Sequence, residues 1–248
     1  MYSFFLFLLG LCFGSFATAL SWRIPHRISF VKGRSICPNC KSQISWYDNI
    51  PLLSYLLLGG KCRKCKTKIS ARYPIIELSS AFGFLIIGLY SFPDLIATVY
   101  RLIIFVLLLI IFIIDLENQI IPDSLTFTGL FIVAFYLILG NQQFLFPLLF
   151  SGFVAASLLM LIHLMTKGRG MGLGDVKFAV LGGMLIGLKL LPIWLLLAFL
   201  TGAVVGIILI IVGKAGLKSK IAFGPFLIIG IPLALLYGEK IFSWLHFN

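Results

Sequence analysis

Charge is scarce in this chain. Of 248 residues only 11% are charged and only eight are acidic, whereas 60% are hydrophobic and the mean hydropathy is +1.11. Soluble domains are about one quarter charged and about half apolar, so the shortage excludes a soluble globular protein and points to a polytopic membrane protein. The opening "MYSFFLFLLG" lacks a basic stretch ahead of its apolar run, and apolar runs recur throughout. That excludes a signal peptide on a soluble body. Despite 24 glycines there is no G-x-x-x-x-G-K-[ST] pattern, which excludes a phosphate-cradling reading of the glycine run "GMGLGD". Histidine is limited to His26, His163 and His246. Isolated histidines are more often structural, and none is assigned to a site.

What the chain does have is long apolar segments. A crossing takes about 20 such residues, and eight spans are expected: Tyr2–Leu20, Pro74–Phe92, Ile96–Ile114, Leu125–Leu139, Leu145–Met165, Val176–Leu188, Leu190–Val212 and Ala222–Tyr237. The fourth and sixth are short. The expected fold is therefore all-α, with about eight membrane helices and one sizeable loop, residues 21–73. The formal net charge is +12, and its distribution is informative. Eleven Lys and Arg fall in 21–73, three in 166–177 and three in 213–221, making 17 of the 20. Placing these segments in the cytoplasm satisfies the positive-inside bias and puts both termini outside. Orientation and anionic lipid then account for the charge, and a nucleic-acid role is not expected.

The loop contains "CPNC" (37–40) and "CRKC" (62–65). Two such pairs supply a closed four-thiolate shell for Zn²⁺ from Cys37, Cys40, Cys62 and Cys65. Lys41, Lys61, Arg63, Lys64 and Lys66 favour the thiolate forms. Disulfides are the first alternative and fit poorly in a reducing cytoplasm. A redox C-x-x-C is the second, but it normally sits on a βαβ unit that this loop lacks. With four sulfurs the metal is structural, holding together a loop too short for its own core. Cys12, in the first span, is expected to be an inert packing residue.

The acids cluster at one face. Asp94 and Glu239 lie outside, whereas Asp48, Glu77, Asp115, Glu117, Asp123 and Asp175 lie at or near the cytoplasmic side. Ionisable groups embedded in spans are functional candidates because they are expensive to keep there. Each has a plain alternative: Asp115 terminates span three, Asp123 caps span four, Asp175 caps span six and Glu77 occupies a first turn. Asp115 and Asp175 are separated by two crossings and so return to the same face. Two carboxylates in a poorly solvated cleft share one proton, which gives an acid and a base for activating water. Gly172 and Gly174, without Cβ atoms, let an extended substrate backbone approach the acid. The alternative is that these glycines serve only close helix packing.

These residues lie in stretches that resemble the type IV prepilin peptidases, polytopic GxGD-type aspartic proteases. The matching stretches are "FGSFATALSWRIP" (13–25), "CPNC", "ISWYDNIPLLSYLLLGGKCRKC" (44–65), "ISARYPIIE" (69–77), "DLENQIIPD" (115–123), "MGLGDVK" (171–177) and "FGPFL" (223–227). One departure is Ala17 and Thr18 where an Asn is common. The resemblance implies a catalytic pair of Asp115 and Asp175, and metal-binding by the four loop cysteines. It also implies cleavage of the basic leader from prepilins and pseudopilins at the inner membrane. Many members with the cysteine loop also N-methylate the new N-terminus from S-adenosylmethionine, so the resemblance implies a bifunctional enzyme. Glu77, Gly172, Gly174 and Lys177 stand as substrate- or cofactor-binding candidates. The expected division is a first helix (1–20), the four-cysteine domain (21–73) and a seven-helix protease body (74–248). A peptidase without methyltransferase activity is the nearer rival, and a proton-coupled transporter the more distant one.

Overall fold

The computed structural model describes residues 2–29, 35–140, 142–168, 170–214, 216, 219 and 221–245. His246 and five of the cations used to orient the chain (Lys32, Arg34, Arg169, Lys218, Lys220) lie outside the described residues. Among the described residues no strand forms; there are only two isolated antiparallel bridges, Ile36 with Gln43 and Lys61 with Lys68. The rest is helix and turn, as expected of an all-α membrane protein.

Seven of the helices are long and apolar enough to cross a membrane. They are α1 (Tyr2–Arg23), α3 (Arg72–Ser91), α4 (Leu95–Asn118), α5 (Asp123–Gly140), α6 (Leu145–Met165), α8 (Leu191–Ile211) and α9 (Gly224–Leu245). The sixth expected span is α7 (Leu173–Ile186), whose 14 residues give about 21 Å, short of a full crossing. Its surroundings explain how it tolerates that length. Phe178, Ala179, Leu181, Gly182, Gly183, Met184 and Ile186 are all buried by protein, so α7 need not match the hydrocarbon thickness. The remaining helix, α2 (Leu53–Leu57), is a single turn in the loop.

The chain forms two compact units, residues 1–110 and 111–248. In the first, α1 lies against α3. Helices in lipid gain little from burying apolar surface, so close backbone approach between small residues is what joins them. Gly10 and Gly14 supply that approach: a Cβ on either would lie 2.6 Å from the Cα of Ala81 or Glu77. The ends are joined by Arg72, which donates to Ser21 Oγ (2.7 Å) and the Thr18 carbonyl (3.4 Å). Thr18 itself is buried, its hydroxyl donating to the Gly14 carbonyl at 2.8 Å. The position where this sequence departs from the resemblance is thus satisfied within its own helix. Cys12 is exposed rather than packed, which corrects the expectation for it. Its side of α1 faces away from α3, whereas Gly10 and Gly14 face it.

In the second unit α7 is the central helix, packed against α5, α6 and α9. Gly183 lies where a Cβ would meet Gly152 Cα at 2.7 Å, and Ser151 Oγ donates to the Gly183 carbonyl at 2.9 Å. Trp194 of α8 is fully buried, and its Nε1–H donates to the Leu227 carbonyl of α9 at 2.8 Å. These contacts fix the depth at which α7 begins, and with it the position of Asp175.

Candidate active site

Asp115 lies in the last turn of α4, because the helix continues through "DLEN" to Asn118 instead of ending at the acid. Asp175 lies in the first turn of α7. The side chains are 4% and 8% exposed, and both line one cleft of about 360 Å³. Gly172, Gly174, Ile121 and Lys177 line the same cleft. The two acids, 60 residues apart in sequence, are thus brought together within one unit.

Their hydrogen bonding differs. Asp175 Oδ2 accepts from the N–H of Gly172, the N-cap residue of α7, at 3.1 Å. The capping alternative is therefore realised, but by only one carboxylate oxygen. Asp115 Oδ2 is buried and has no hydrogen-bond partner among the described residues. A buried acceptor left unpaired is costly, so this oxygen is suited to a shared proton or a substrate group. Gly224, the first residue of α9, lies against it; a Cβ there would be 2.5 Å from Asp115 Oδ2.

The glycines of the run have separate tasks. A Cβ on Gly172 would lie 3.2 Å from Asp175 Oδ2, so a bare position leaves that carboxylate approachable. A Cβ on Gly174 would lie 3.3 Å from Ile121 Cβ, so this glycine also serves packing. Lys177 donates to both Asp123 oxygens, at 2.9 and 2.7 Å, and both side chains are about half exposed at the cleft edge. Asp123 is thus in an ion pair rather than a side-chain cap.

The first unit holds the cysteines. The Sγ atoms of Cys37, Cys40, Cys62 and Cys65 all lie within 4.8 Å of one another, with Cys37 and Cys65 3.8 Å apart. Tetrahedral Zn–S bonds of about 2.3 Å require S···S separations of about 3.8 Å, so the donor set fits a metal ion. The two knuckles are built alike. Cys37 N–H donates to the Ser42 carbonyl and Lys41 N–H to the Cys37 carbonyl. Cys62 N–H donates to the Thr67 carbonyl and Lys66 N–H to the Cys62 carbonyl. Lys41 (φ 55°) and Lys66 (φ 58°) turn each chain through the left-handed region. The Thr67 hydroxyl, 3.3 Å from Cys65 Sγ, is the largest influence lowering that thiol to about 5, which favours the ligating thiolate.

Glu77 belongs to this unit too. It is 5% exposed, and its Oε2 accepts from Leu52 N–H at 2.7 Å. Leu52 has φ +58°, a strained conformation for leucine, which the carboxylate helps to hold.

Two family profiles match the sequence: the bacterial peptidase A24 N-terminal domain over residues 8–91 and the type IV leader peptidase family over residues 102–207. A prepilin leader peptidase/N-methyltransferase of Aeromonas salmonicida is 37% identical, over 88% of this chain and 76% of its own length. A protein of the same name from Pseudomonas aeruginosa is 33% identical, over 94% and 90%. One from Bacillus subtilis is 31% identical, over 96% of each. The chain belongs to the type IV leader peptidase family. No solved structure matches it.

Three features of this leader peptidase escaped the sequence reading. Gly224 lies in "FGPFL", a stretch matched without a role; the signal was a glycine–proline pair opening an apolar segment beside the acids' face. His163, in the last turn of α6, has Nδ1 2.7 Å from the Met171 carbonyl. A carbonyl only accepts, so Nδ1 carries the hydrogen, and the ring holds the loop that leads into Asp175. The third is a short repeat, "CPNCKSQIS" against "CRKCKTKIS", which encodes the paired knuckles.

Proposed function

We propose that this leader peptidase cleaves the basic leader from type IV prepilins and pseudopilins and then N-methylates the exposed N-terminus, taking the methyl group from S-adenosylmethionine. Asp115 and Asp175 activate the water. The observation that carries this is one cleft lined by both buried acids, with one Asp115 oxygen unpartnered among the described residues. Helix N-termini stabilise negative charge at both acids. Asp175 is at a helix N-terminus and accepts an N–H, both of which favour negative charge. Asp115 ends α4, but its carboxylate lies against Gly224, the first residue of α9, so a helix N-terminus favours negative charge there as well.

In this mechanism the charged acid of the pair takes a proton from water as the oxygen attacks the scissile carbonyl, and the protonated acid gives its proton to the carbonyl oxygen. The tetrahedral intermediate collapses with proton transfer to the leaving amine, which breaks the C–N bond and restores the pair. Gly172 and Gly174 border the strand of substrate, and Lys177 with Asp123 forms the cleft edge. Glu77 acts through Leu52, seating the loop. A Zn²⁺ ion held by Cys37, Cys40, Cys62 and Cys65 fixes the fold of the 21–73 domain, and the 74–248 body carries the protease. The basic segments face the cytoplasm of a multi-pass inner-membrane protein.

Asp115→Asn and Asp175→Asn each abolish cleavage of a prepilin peptide while the protein still inserts; cleavage by either variant refutes the pair. A labelled methyl donor in the same assay separates the rivals. A peptidase alone leaves the product unlabelled, and a transporter leaves the peptide whole. Acids at helix ends rather than mid-span already favour a peptidase over a transporter.

A further inference from the structure

The loop that carries the cysteines also carries an apolar surface that neither the metal site nor the cleft uses. Trp46 is 75% exposed, Leu56 64% and Leu57 77%, with Tyr47, Ile50 and Leu53 exposed beside them. On a water-facing domain such a patch is unfavourable, and it marks an interaction surface.

The depth of this patch identifies what it meets. The Leu52 N–H that enters α2 is bonded to Glu77 Oε2 at 2.7 Å. Glu77 is five residues past Arg72, the start of a membrane-crossing helix, and therefore about 7.5 Å along its axis. Interfacial segments settle about 5–10 Å into the boundary between headgroups and acyl chains. With the leaflet boundary taken at the start of this apolar helix, the α2 turn is tethered at that depth. Ser54 Oγ donates to the Tyr47 carbonyl at 2.9 Å, which brings the Trp46–Asn49 turn to the same level. Asp48 in turn holds Arg63 through three hydrogen bonds of 2.6–3.1 Å, and the guanidinium lies 5.5 Å from the Tyr47 ring centre. The second knuckle is thereby joined to the apolar turn.

That knuckle presents Lys61, Lys64, Lys66 and Lys68, all exposed. Asp48, the one acid of residues 21–73, is already paired with Arg63. Tryptophan and tyrosine beside leucines, with exposed lysines on the joined knuckle, match a leaflet boundary topped by negative headgroups.

We propose that the Trp46–Leu57 surface is a monotopic lipid anchor. Its apolar side chains enter the leaflet from which α1 and α3 rise, and its lysines contact anionic phospholipid headgroups. The anchor holds the metal-binding loop flat on the membrane.

The test uses the full chain in nanodiscs of phosphatidylglycerol mixed with phosphatidylcholine, and Trp46→Phe to isolate the Trp46 emission by difference. Lipids brominated near the headgroup end of the acyl chain remove most of the Trp46 emission, and aqueous iodide removes little. In pure phosphatidylcholine the bromine quenching weakens, and a Lys61, Lys64, Lys66 and Lys68 to Ala variant shows the weakened level in both lipids. Trp46 open to iodide and untouched by brominated lipid overturns the anchor. Quenching that is lost when a prepilin peptide is added overturns it as well, because the surface then belongs to the substrate. Equal quenching in both lipids overturns the headgroup contact.

Discussion

A methyl group at Gly224 has nowhere to go. It would meet Asp115 Oδ2 at 2.5 Å and Ile121 Cδ1 at 3.0 Å, so either the acid or the start of α9 must move. A shift of about 1 Å at a reacting group costs roughly a hundredfold in rate. Gly224→Ala is therefore expected to lower the kcat for leader cleavage by about that factor. Methylation of a pre-cleaved peptide is expected to persist, which separates a damaged cleft from an unfolded protein. His163 acts one step further out. With its Nδ1–H on the Met171 carbonyl and Gly168 so close that a Cβ there would lie 3.3 Å from its ring, it folds the α6–α7 connection back onto α6. Thr166 adds a second tie by accepting the Gly170 N–H at 3.1 Å. His163→Ala is expected to reduce kcat by up to about a hundredfold with KM little changed. Asn, whose amide N–H can replace Nδ1–H, is expected to restore much of it. Equal losses for Ala and Asn would leave the ring with a packing role only.

At the scale of elements, the cysteine loop and the helix ends follow different physics. The loop has few buried apolar side chains, Cys37 among them, so its order depends on the metal that the four sulfurs can hold. Chelation is expected to expose residues 35–70 to proteolysis while the membrane helices remain protected, with one metal ion per chain by elemental analysis beforehand. Cleavage sites that stay closed after the metal has left would show that hydrogen bonds alone hold the knuckles. The helices need no such clamp. Gly10 and Gly14 on α1, and Gly152 and Gly183 between α6 and α7, let backbones approach closely. Helix α7 shows what hydropathy cannot reveal. Its apolar run looks like a short span, yet it is a 14-residue helix wrapped by other helices. An apolar run facing protein and one facing lipid have the same composition.

Across the whole molecule, most of the cations, 17 of 20, fall in three segments of the sequence, and that makes a prediction about insertion. Alkaline phosphatase fused after residue 141 is expected to be active, and fused after residue 66 or 168 inactive, because the positive-inside bias keeps the basic segments in the cytoplasm. The opposite pattern would turn the chain over and move the cysteine loop to an oxidising compartment, where a metal site gives way to disulfides. The helical content, seven of the eight expected spans and the cysteine pairs were all legible, since each is a local pattern of hydropathy or spacing. The candidate pair was legible as two unusual acids returning to one face, helped by the resemblance. Gly224 was not, because it approaches Asp115 from a helix that begins more than a hundred residues later. His163 was not either, since one histidine in an apolar run carries no mark of the carbonyl it will meet.

By itself the sequence determined that this chain lives in a membrane, which segments are apolar enough to enter it and which acids are costly to keep there. These follow from transfer free energies and from ligand spacing, which act over a few neighbouring residues. Only the tertiary structure decided that one Asp115 oxygen would be left without a partner, and that Asp175 would give one oxygen to Gly172. It also decided that the α2 turn would be tied to Glu77, part-way down a membrane helix. Such choices depend on the depth and register at which helices pack, and packing is set by contacts between residues far apart in the chain.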